Sequence, residues 1–177
     1  MATARSFPRF TMITGDFETV RGAWGVRGEA AYLPNDTLQS APVFEGLPGR
    51  SFDAGVGVDR RAGDFRVGGT LIVSRRRVDR GALGRALVPA DSAGEFTDAL
   101  LVGSAERTFA RETRVLRVLA AWNPDAASAF VRGIGSVNLR DNVWLELSGG
   151  WLRGDGVDML SQLSMRDFAY ARIKVHF

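Results

Sequence analysis

The sequence predicts an all-β fold in which about nine antiparallel strands follow one another in up-and-down order. The first observation behind this prediction is that apolar and polar residues alternate with period two, as where Val143, Leu145 and Leu147 alternate with Trp144 and Glu146. The second is that no uncharged run approaches the roughly 20 apolar residues of a membrane-spanning helix. The third is that many of the 21 glycines lie inside the alternating segments, where they relieve curvature and crowding in a barrel.

The strand boundaries follow from the alternation and from the turn residues between the alternating segments. The predicted strands are Arg9–Val20, Trp24–Leu33, Ser51–Arg60, Phe65–Arg77, Phe96–Glu106, Thr113–Asn123, Phe130–Leu139, Val143–Arg153 and Arg166–Phe177. The fifth is the least regular, because residues 98–102 also fit the start of a helix. Gly103 and Ser104 interrupt such a helix, so a strand is predicted. Without this strand the count falls to eight.

The last predicted strand carries the most specific pattern in the chain. Its apolar face consists of Ala169, Ala171, Ile173, Val175 and the terminal Phe177. Tyr170 is an aromatic residue on the other face. This ending resembles the C-terminal β-signal of bacterial outer-membrane β-barrels. The resemblance implies the bacterial cell outer membrane as the location, with outer-membrane lipid, lipopolysaccharide and the barrel-assembly machinery as partners. It also implies that Tyr170, Ile173, Val175 and Phe177 form the assembly signal.

The connections between strands agree with this resemblance. Those after the first, third, fifth and seventh strands are short, whereas residues 34–50 and 78–95 are predicted as long loops and 154–165 as an intermediate one. The short connection at about 124–129 is the exception. Outer-membrane barrels alternate short periplasmic turns with longer outer loops. Trp24 and Tyr32 bracket an apolar row of small residues in the second strand, as the aromatic girdles of such barrels do.

The predicted fold is therefore an all-β, antiparallel, up-and-down transmembrane β-barrel, with residues 1–177 as a single barrel domain or as the C-terminal part of a larger one. Bacterial single-chain barrels have even strand numbers. A count of nine, together with a start (MATARSFPRF) that does not resemble a secretory signal, favours the C-terminal part. If the fifth strand is omitted, a complete eight-stranded barrel remains, whose interior would be filled by side chains.

The face opposite the apolar row is predicted to line the barrel interior. Its charged residues are Asp16, Glu18, Arg27, Glu29, Asp53, Asp59, Arg66, Arg117, Arg132, Glu146, Arg172 and Lys174. Charges of both signs recur from strand to strand, which favours cross-strand pairs. In a wide barrel such residues line water and set a preference among solutes. The predicted function is a porin-like channel for small polar solutes or ions, with further copies of the chain as candidate partners.

Other functional classes receive little support. No protease, hydrolase or phosphate-loop motif is present, and the single histidine, His176, lies within the β-signal, so no enzyme activity is predicted. The chain has no cysteine, which excludes thiol chemistry, and no cofactor or metal site is predicted. The net charge is +3, but basic and acidic residues are interspersed, so a nucleic-acid partner is not expected.

Two alternatives remain open at this stage. One is a small eight-stranded outer-membrane barrel with a structural or adhesive role, acting through the loops at 34–50 and 78–95. The other is a soluble β-barrel or sandwich that binds a ligand, in which the apolar row forms the core and the charged face is solvated. Alternation alone does not say which face meets water.

Overall fold

The computed structural model describes residues 10–40, 45–79, 95–156 and 158–176, and almost all of these residues are in β-strands. The strands are β1 (Ile13–Arg21), β2 (Trp24–Ser40), β3 (Glu45–Ala62), β4 (Phe65–Val78), β5 (Glu95–Phe109), β6 (Arg114–Asn123), β7 (Ser128–Arg140), β8 (Val143–Arg153) and β9 (Phe168–Val175). One short helix, α1 (Met159–Gln162), lies between β8 and β9.

The nine described strands form one antiparallel sheet in sequence order, from β1 at one edge to β9 at the other. Each strand is hydrogen-bonded to the strands that precede and follow it in the chain, as an up-and-down fold requires. The predicted all-β, antiparallel, up-and-down class and the count of nine strands are confirmed, and the fifth strand is present and paired with β6. Within the ranges given above, β1 and β9 are not paired with each other.

Tight turns join the strands at one end of the hairpins. Gly22 and Gly63 have φ angles of +62° and +58° in two-residue connections, where glycine adopts the left-handed region without steric cost. Asn142 has a φ of +62° in the equivalent turn between β7 and β8, and asparagine is among the few other residues that tolerate it. These residues explain why the short connections were recognisable in the sequence.

The predicted loop at 34–50 is wrong over most of its length. β2 continues to Ser40 and β3 begins at Glu45, so Pro34 and Pro48 both lie within strands. A proline in an extended strand loses only its own N–H donor and keeps a carbonyl that accepts. Pro48 shows this, because its carbonyl oxygen accepts from the backbone nitrogen of Asp79 at 3.0 Å. Of the second predicted loop, residues 80–94 lie outside the described residues.

The connection before β9 also differs from the predicted loop at 154–165. It contains α1, whose N-terminus is capped by Asp158, with the carboxylate accepting from the backbone nitrogen of Ser161 at 3.2 Å. A helix of four residues has too few positions to produce a recognisable period of 3.6, so the sequence pattern did not predict it.

Contacts between backbone positions divide the described chain into two compact units. The first takes its residues from 1–16, 29–54 and 73–97, and the second from 17–28, 55–72 and 98–177. In the first unit, Leu38 and Val78 are buried, and Gly49 lies against both Leu38 and the backbone of Arg77. A Cβ at position 49 would come within 2.8 Å of a Leu38 methyl carbon, so the close approach there depends on glycine.

Candidate functional site

The registers of β5 to β9 assign every side chain in this part of the second unit to one of two faces. Residues directly opposite each other in an antiparallel pair project to the same side of the sheet. One face, called the apolar face here, contains Leu101, Gly103, Ala105, Leu116, Val118, Ala120, Trp122, Val131, Gly133, Gly135, Val137, Leu145, Leu147, Gly149, Trp151, Ala169, Ala171, Ile173 and Val175. The charged residues that the registers place on this face, Arg107, Arg114, Arg140 and Arg153, lie at its ends.

The apolar face is exposed. The relative exposures of Leu116, Leu147 and Ile173 are 51%, 54% and 65%. The buried hydrophobic residues of the described chain are instead Leu38, Val78, Leu152 and Leu160, none of which is on this face. A water-soluble domain rarely leaves so large a contiguous apolar surface uncovered, and such a surface marks contact with a membrane, another protein or an apolar ligand.

Aromatic rings with arginines stacked on them border the apolar face. At the edge of the tight turns, the Arg60 guanidinium lies 5.1 Å from the Trp24 ring centroid. Arg107 lies 4.6 Å from the Phe65 ring and 4.5 Å from the Phe109 ring. Cation–π contact at these distances is favourable and leaves the guanidinium nitrogens accessible at its rim.

The opposite edge of the apolar face has a similar border. The Arg153 guanidinium lies 5.0 Å from the Trp151 ring. Here the arginine is also neutralised, because its Nη1 and Nη2 donate to the Asp167 carboxylate at 2.9 to 3.1 Å. These hydrogen bonds, with a further one from the backbone nitrogen of Leu152, hold the pKa of Asp167 below its ordinary value.

The other face of β5 to β9, called the polar face here, carries a network across strands. Glu146 is only 6% exposed, and its two carboxylate oxygens accept from Arg172 Nη2 and Lys174 Nζ, each at 2.6 Å. Arg132 Nε donates to Ser148 Oγ at 2.9 Å, and its Nη2 donates to the Tyr170 hydroxyl. The structure therefore brings together four of the predicted interior residues in the region from β7 to β9.

One member of this face was missed by the sequence prediction. Glu106 accepts from Arg117 Nε at 2.6 Å across the β5–β6 pair. The predicted fifth strand ends at Glu106, and the sequence prediction assigns no faces to that strand. The alternation with Ser104 and Thr108 would have been sufficient to find it.

The remaining predicted interior residues are more scattered. Arg27, Asp59 and Arg66 line a groove of about 420 Å³ in the second unit, together with Glu106 and Arg117. In the first unit, Asp53 pairs with Arg76 at 3.3 Å. The structure shows no ion pair between another described residue and any of Asp16, Glu18 and Glu29. That these side chains line an interior stays a prediction.

The predicted assembly signal lies on the two faces of β9 as expected from alternation. Ile173 and Val175 belong to the apolar face and are 65% and 57% exposed. Tyr170 belongs to the polar face, where its ring stacks on Phe168 with the centroids 6.2 Å apart. Phe177 lies outside the described residues. The role of these residues in assembly remains a prediction.

A buried polar cluster that sequence analysis did not predict joins the β6–β7 and β8–β9 connections at the end opposite the tight turns. This loop cluster consists of Asn123, Ser128, Asp158 and Ser161, of which Asn123 and Ser128 are 2% and 0% exposed. Ser128 Oγ donates to Asp158 Oδ2 at 2.6 Å, and Ser161 donates to the other oxygen through both its side chain and its backbone. The turn at Asn123 was recognised in the sequence, but its partners are about 30 residues away and no local pattern links them.

Protonation of Asp158 is expected to release the loop cluster. Burial raises the pKa of Asp158, but the hydrogen bonds from Ser128 and Ser161 outweigh it, so the net pKa is lower than the ordinary value. The resulting stability is fully present above the unfolded-state pKa of about 4 and is lost as the pH falls through the lower folded-state pKa. We expect the backbone amides of Gly156 and Ser161 to lose hydrogen-exchange protection in that acidic range.

The variant Asp158→Asn should abolish this acid-dependent step and weaken protection by about 1 kcal/mol at neutral pH, because an amide cannot accept at both positions as the carboxylate does. Asp155→Asn, in the same connection, serves as the matched control and should retain the wild-type pH profile. Identical pH profiles for Asp158→Asn and the wild type would contradict this account of the cluster.

Across the described ranges, no three His, Asp or Glu side chains are placed to hold a metal ion. No helix in the described part of the chain is long and apolar enough to cross a membrane. No protein-family model, curated protein or solved structure matches this chain.

Proposed function

We propose that this chain is a membrane-spanning β-sheet of an outer-membrane barrel and acts as a porin-like channel for small polar solutes or ions. The observation that carries this proposal is the exposed apolar face, whose central part carries no charge and which is bordered at both edges by aromatic rings with stacked arginines. Outer-membrane barrels present such a band to lipid, with aromatic girdles at the two interfaces.

The length of the apolar face supports the assignment to lipid. From Arg114 to Trp122, β6 advances eight residues, which corresponds to about 26 Å along an extended strand. At the tilt of roughly 35–45° usual for membrane barrels, this becomes about 20 Å along the membrane normal, close to the apolar band of about 25 Å.

The open edges of the sheet add one requirement. Unpaired backbone groups are strongly disfavoured in hydrocarbon, so the edges of β1 and β9 need hydrogen-bonding partners in a bilayer. We propose that further strands, from a longer chain or from another copy of this one, complete the barrel there. The polar face would then line the interior, as predicted for Asp59, Arg66, Arg117, Arg132 and Glu146.

The polar face of β5 to β9 carries a small local excess of positive charge. On β5 to β9 this face carries four cations, Arg117, Arg132, Arg172 and Lys174, against three anions, Asp98, Glu106 and Glu146. Within the described residues, Arg132 makes hydrogen bonds only to neutral side chains. A fixed positive charge without a carboxylate partner in a water-filled passage attracts anions.

Reconstitution of the 177-residue chain tests the proposal. We expect it to float with liposomes after alkaline washing, to migrate differently on gels before and after boiling, and to conduct ions across planar bilayers. Insertion with a heat-dependent shift but no conductance would reject the channel and retain the membrane sheet. A chain that stays in the aqueous phase without detergent would reject the membrane assignment and favour a soluble ligand-binding sandwich.

A further inference from the structure

A groove of about 490 Å³ runs over the apolar face beside the tight-turn edge. Its lining includes Phe109, Leu116, Leu145 and Leu147, with Arg114 at its end. The volume is within the range of roughly 300–1,000 Å³ found for small-molecule sites. Gly135 also lines the groove, and a Cβ built on it would meet nothing within 4 Å, so the space above this residue is open.

Among the described residues, two arginines at this edge have no acidic partner. Neither Arg107 nor Arg114 forms an ion pair with a carboxylate in the described part of the chain. The register pairs Arg107 with Leu116 and Phe109 with Arg114, so the two arginines occupy diagonal positions on the apolar face. Diagonal neighbours lie about 7–8 Å apart, within joint reach of one small anion.

The opposite edge of the apolar face provides a contrast. There Arg153 is held by the Asp167 carboxylate, which satisfies its charge within the protein. The charge at the tight-turn edge is therefore available to an external anion, whereas the charge at the opposite edge is already compensated. This asymmetry distinguishes the two edges although both carry an arginine stacked on an aromatic ring.

We propose that the groove binds one anionic phospholipid. Its phosphate would lie between Arg107 and Arg114, and one acyl chain would run along Leu116, Leu145 and Leu147. Charge complementarity at the edge and apolar lining beyond it match the two parts of such a molecule, and arginine binds phosphate through paired N–H donors. This inference rests on the proposed membrane function, since it places the apolar face against lipid.

Native mass spectrometry of the detergent-extracted chain, supplied with phosphatidylglycerol or phosphatidylcholine, tests whether the groove prefers an anionic headgroup. We expect one phosphatidylglycerol to be retained per chain, about tenfold or more in preference to phosphatidylcholine. The double variant Arg107→Gln/Arg114→Gln should lose this preference. The single variants Arg107→Gln and Arg114→Gln should each weaken it, and Arg166→Gln, which removes the same single charge from the connection before β9, is their matched control and should keep it.

A second set of variants tests whether an acyl chain lies in the groove. Gly135→Leu places a side chain in the groove and should reduce retention of phosphatidylglycerol about tenfold. Gly133→Leu is the matched control, because a Cβ at 133 also meets nothing within 4 Å but the residue does not line the groove. Glycerol phosphate, which has no acyl chain, should fail to displace the lipid. Effective competition by glycerol phosphate, or no effect of Gly135→Leu, would overturn the lipid assignment in favour of a simple anion site.

Failure of this inference is distinguishable from failure of the proposed function. A chain that does not float with liposomes would overturn both. A chain that inserts and conducts, but retains both lipids equally in the wild type and the double arginine variant, would overturn the phospholipid site alone.

Discussion

Replacement of Leu147 by arginine is expected to prevent stable insertion of the chain into a bilayer. Leu147 lies midway along the apolar face of β8, four residues from both Val143 and Trp151, and it is 54% exposed. If this face meets lipid, an arginine there sits near the bilayer midplane, where such a charge costs about 2–4 kcal/mol in a membrane barrel. Because total stabilities are commonly about 5–15 kcal/mol, this is a large fraction of the whole.

Ser136→Arg is the matched control for Leu147→Arg. Ser136 follows Gly135, the residue that pairs with Leu147, so the two sites have nearly the same height on the sheet. Ser136 is on the polar face, directly opposite Glu146, where an added cation meets an existing carboxylate. Liposome flotation and denaturant unfolding in lipid should show a loss for Leu147→Arg and little change for Ser136→Arg. Equal insertion of the two variants would contradict the assignment of the apolar face to lipid.

Replacement of Glu146 by glutamine is expected to destabilise the pairing of β8 with β9. The carboxylate is almost inaccessible and is shared by Arg172 and Lys174, so the change leaves two cations facing one amide. Hydrogen bonds to charged groups are each worth about 1.5–3 kcal/mol. The cations are partly exposed, at 53% and 38%, and solvent offsets part of the loss, so we expect about 1.5–3 kcal/mol in total. The midpoint of denaturant unfolding and the temperature at which the gel band shifts measure this loss of stability.

Glu106→Gln makes the same charge change in a more accessible pair. The side chains of Glu106 and its partner Arg117 are 25% and 49% exposed, and such pairs contribute less than about 1 kcal/mol. Both variants remove one negative charge from the polar face, so both should shift the reversal potential towards anions, while only Glu146→Gln should lower stability markedly. Equal stability losses would show that the Glu146 cluster has no special role, and unchanged selectivity in both would place the polar face away from the ion path.

Much of the fold follows from local sequence. Strand β8 has the predicted bounds, and β4 and β6 differ from theirs by one residue at one end. In these segments, period-two alternation continues to both ends and a turn residue follows. The predicted hairpin of β2 and β3 is shorter than the observed one, because its outer part is rich in proline and polar residues. These residues are typical of loops, yet cross-strand hydrogen bonds such as that from Asp79 to Pro48 keep the backbone extended.

Some residues of the candidate site were predicted from the sequence, and others were not. Arg117, Arg132, Glu146, Arg172 and Lys174 were assigned to one face because every second residue of a strand projects to the same side. The loop cluster around Asp158 and the arginine edge around Arg107 were not predicted. Their members come from different connections and strands, and their chemistry depends on contacts between residues far apart in the chain.

The sequence by itself determined the strands, their order and the two faces of each, since these depend only on alternation and on turn residues. The tertiary structure alone decided which residues meet across strands. A shift of two residues between neighbouring strands leaves every side chain on the same face, so alternation cannot distinguish one such register from another. The hydrogen-bonded pairing selects the register in which Glu146 lies opposite Arg172, with Lys174 two residues further along β9, and places Arg107 diagonal to Arg114.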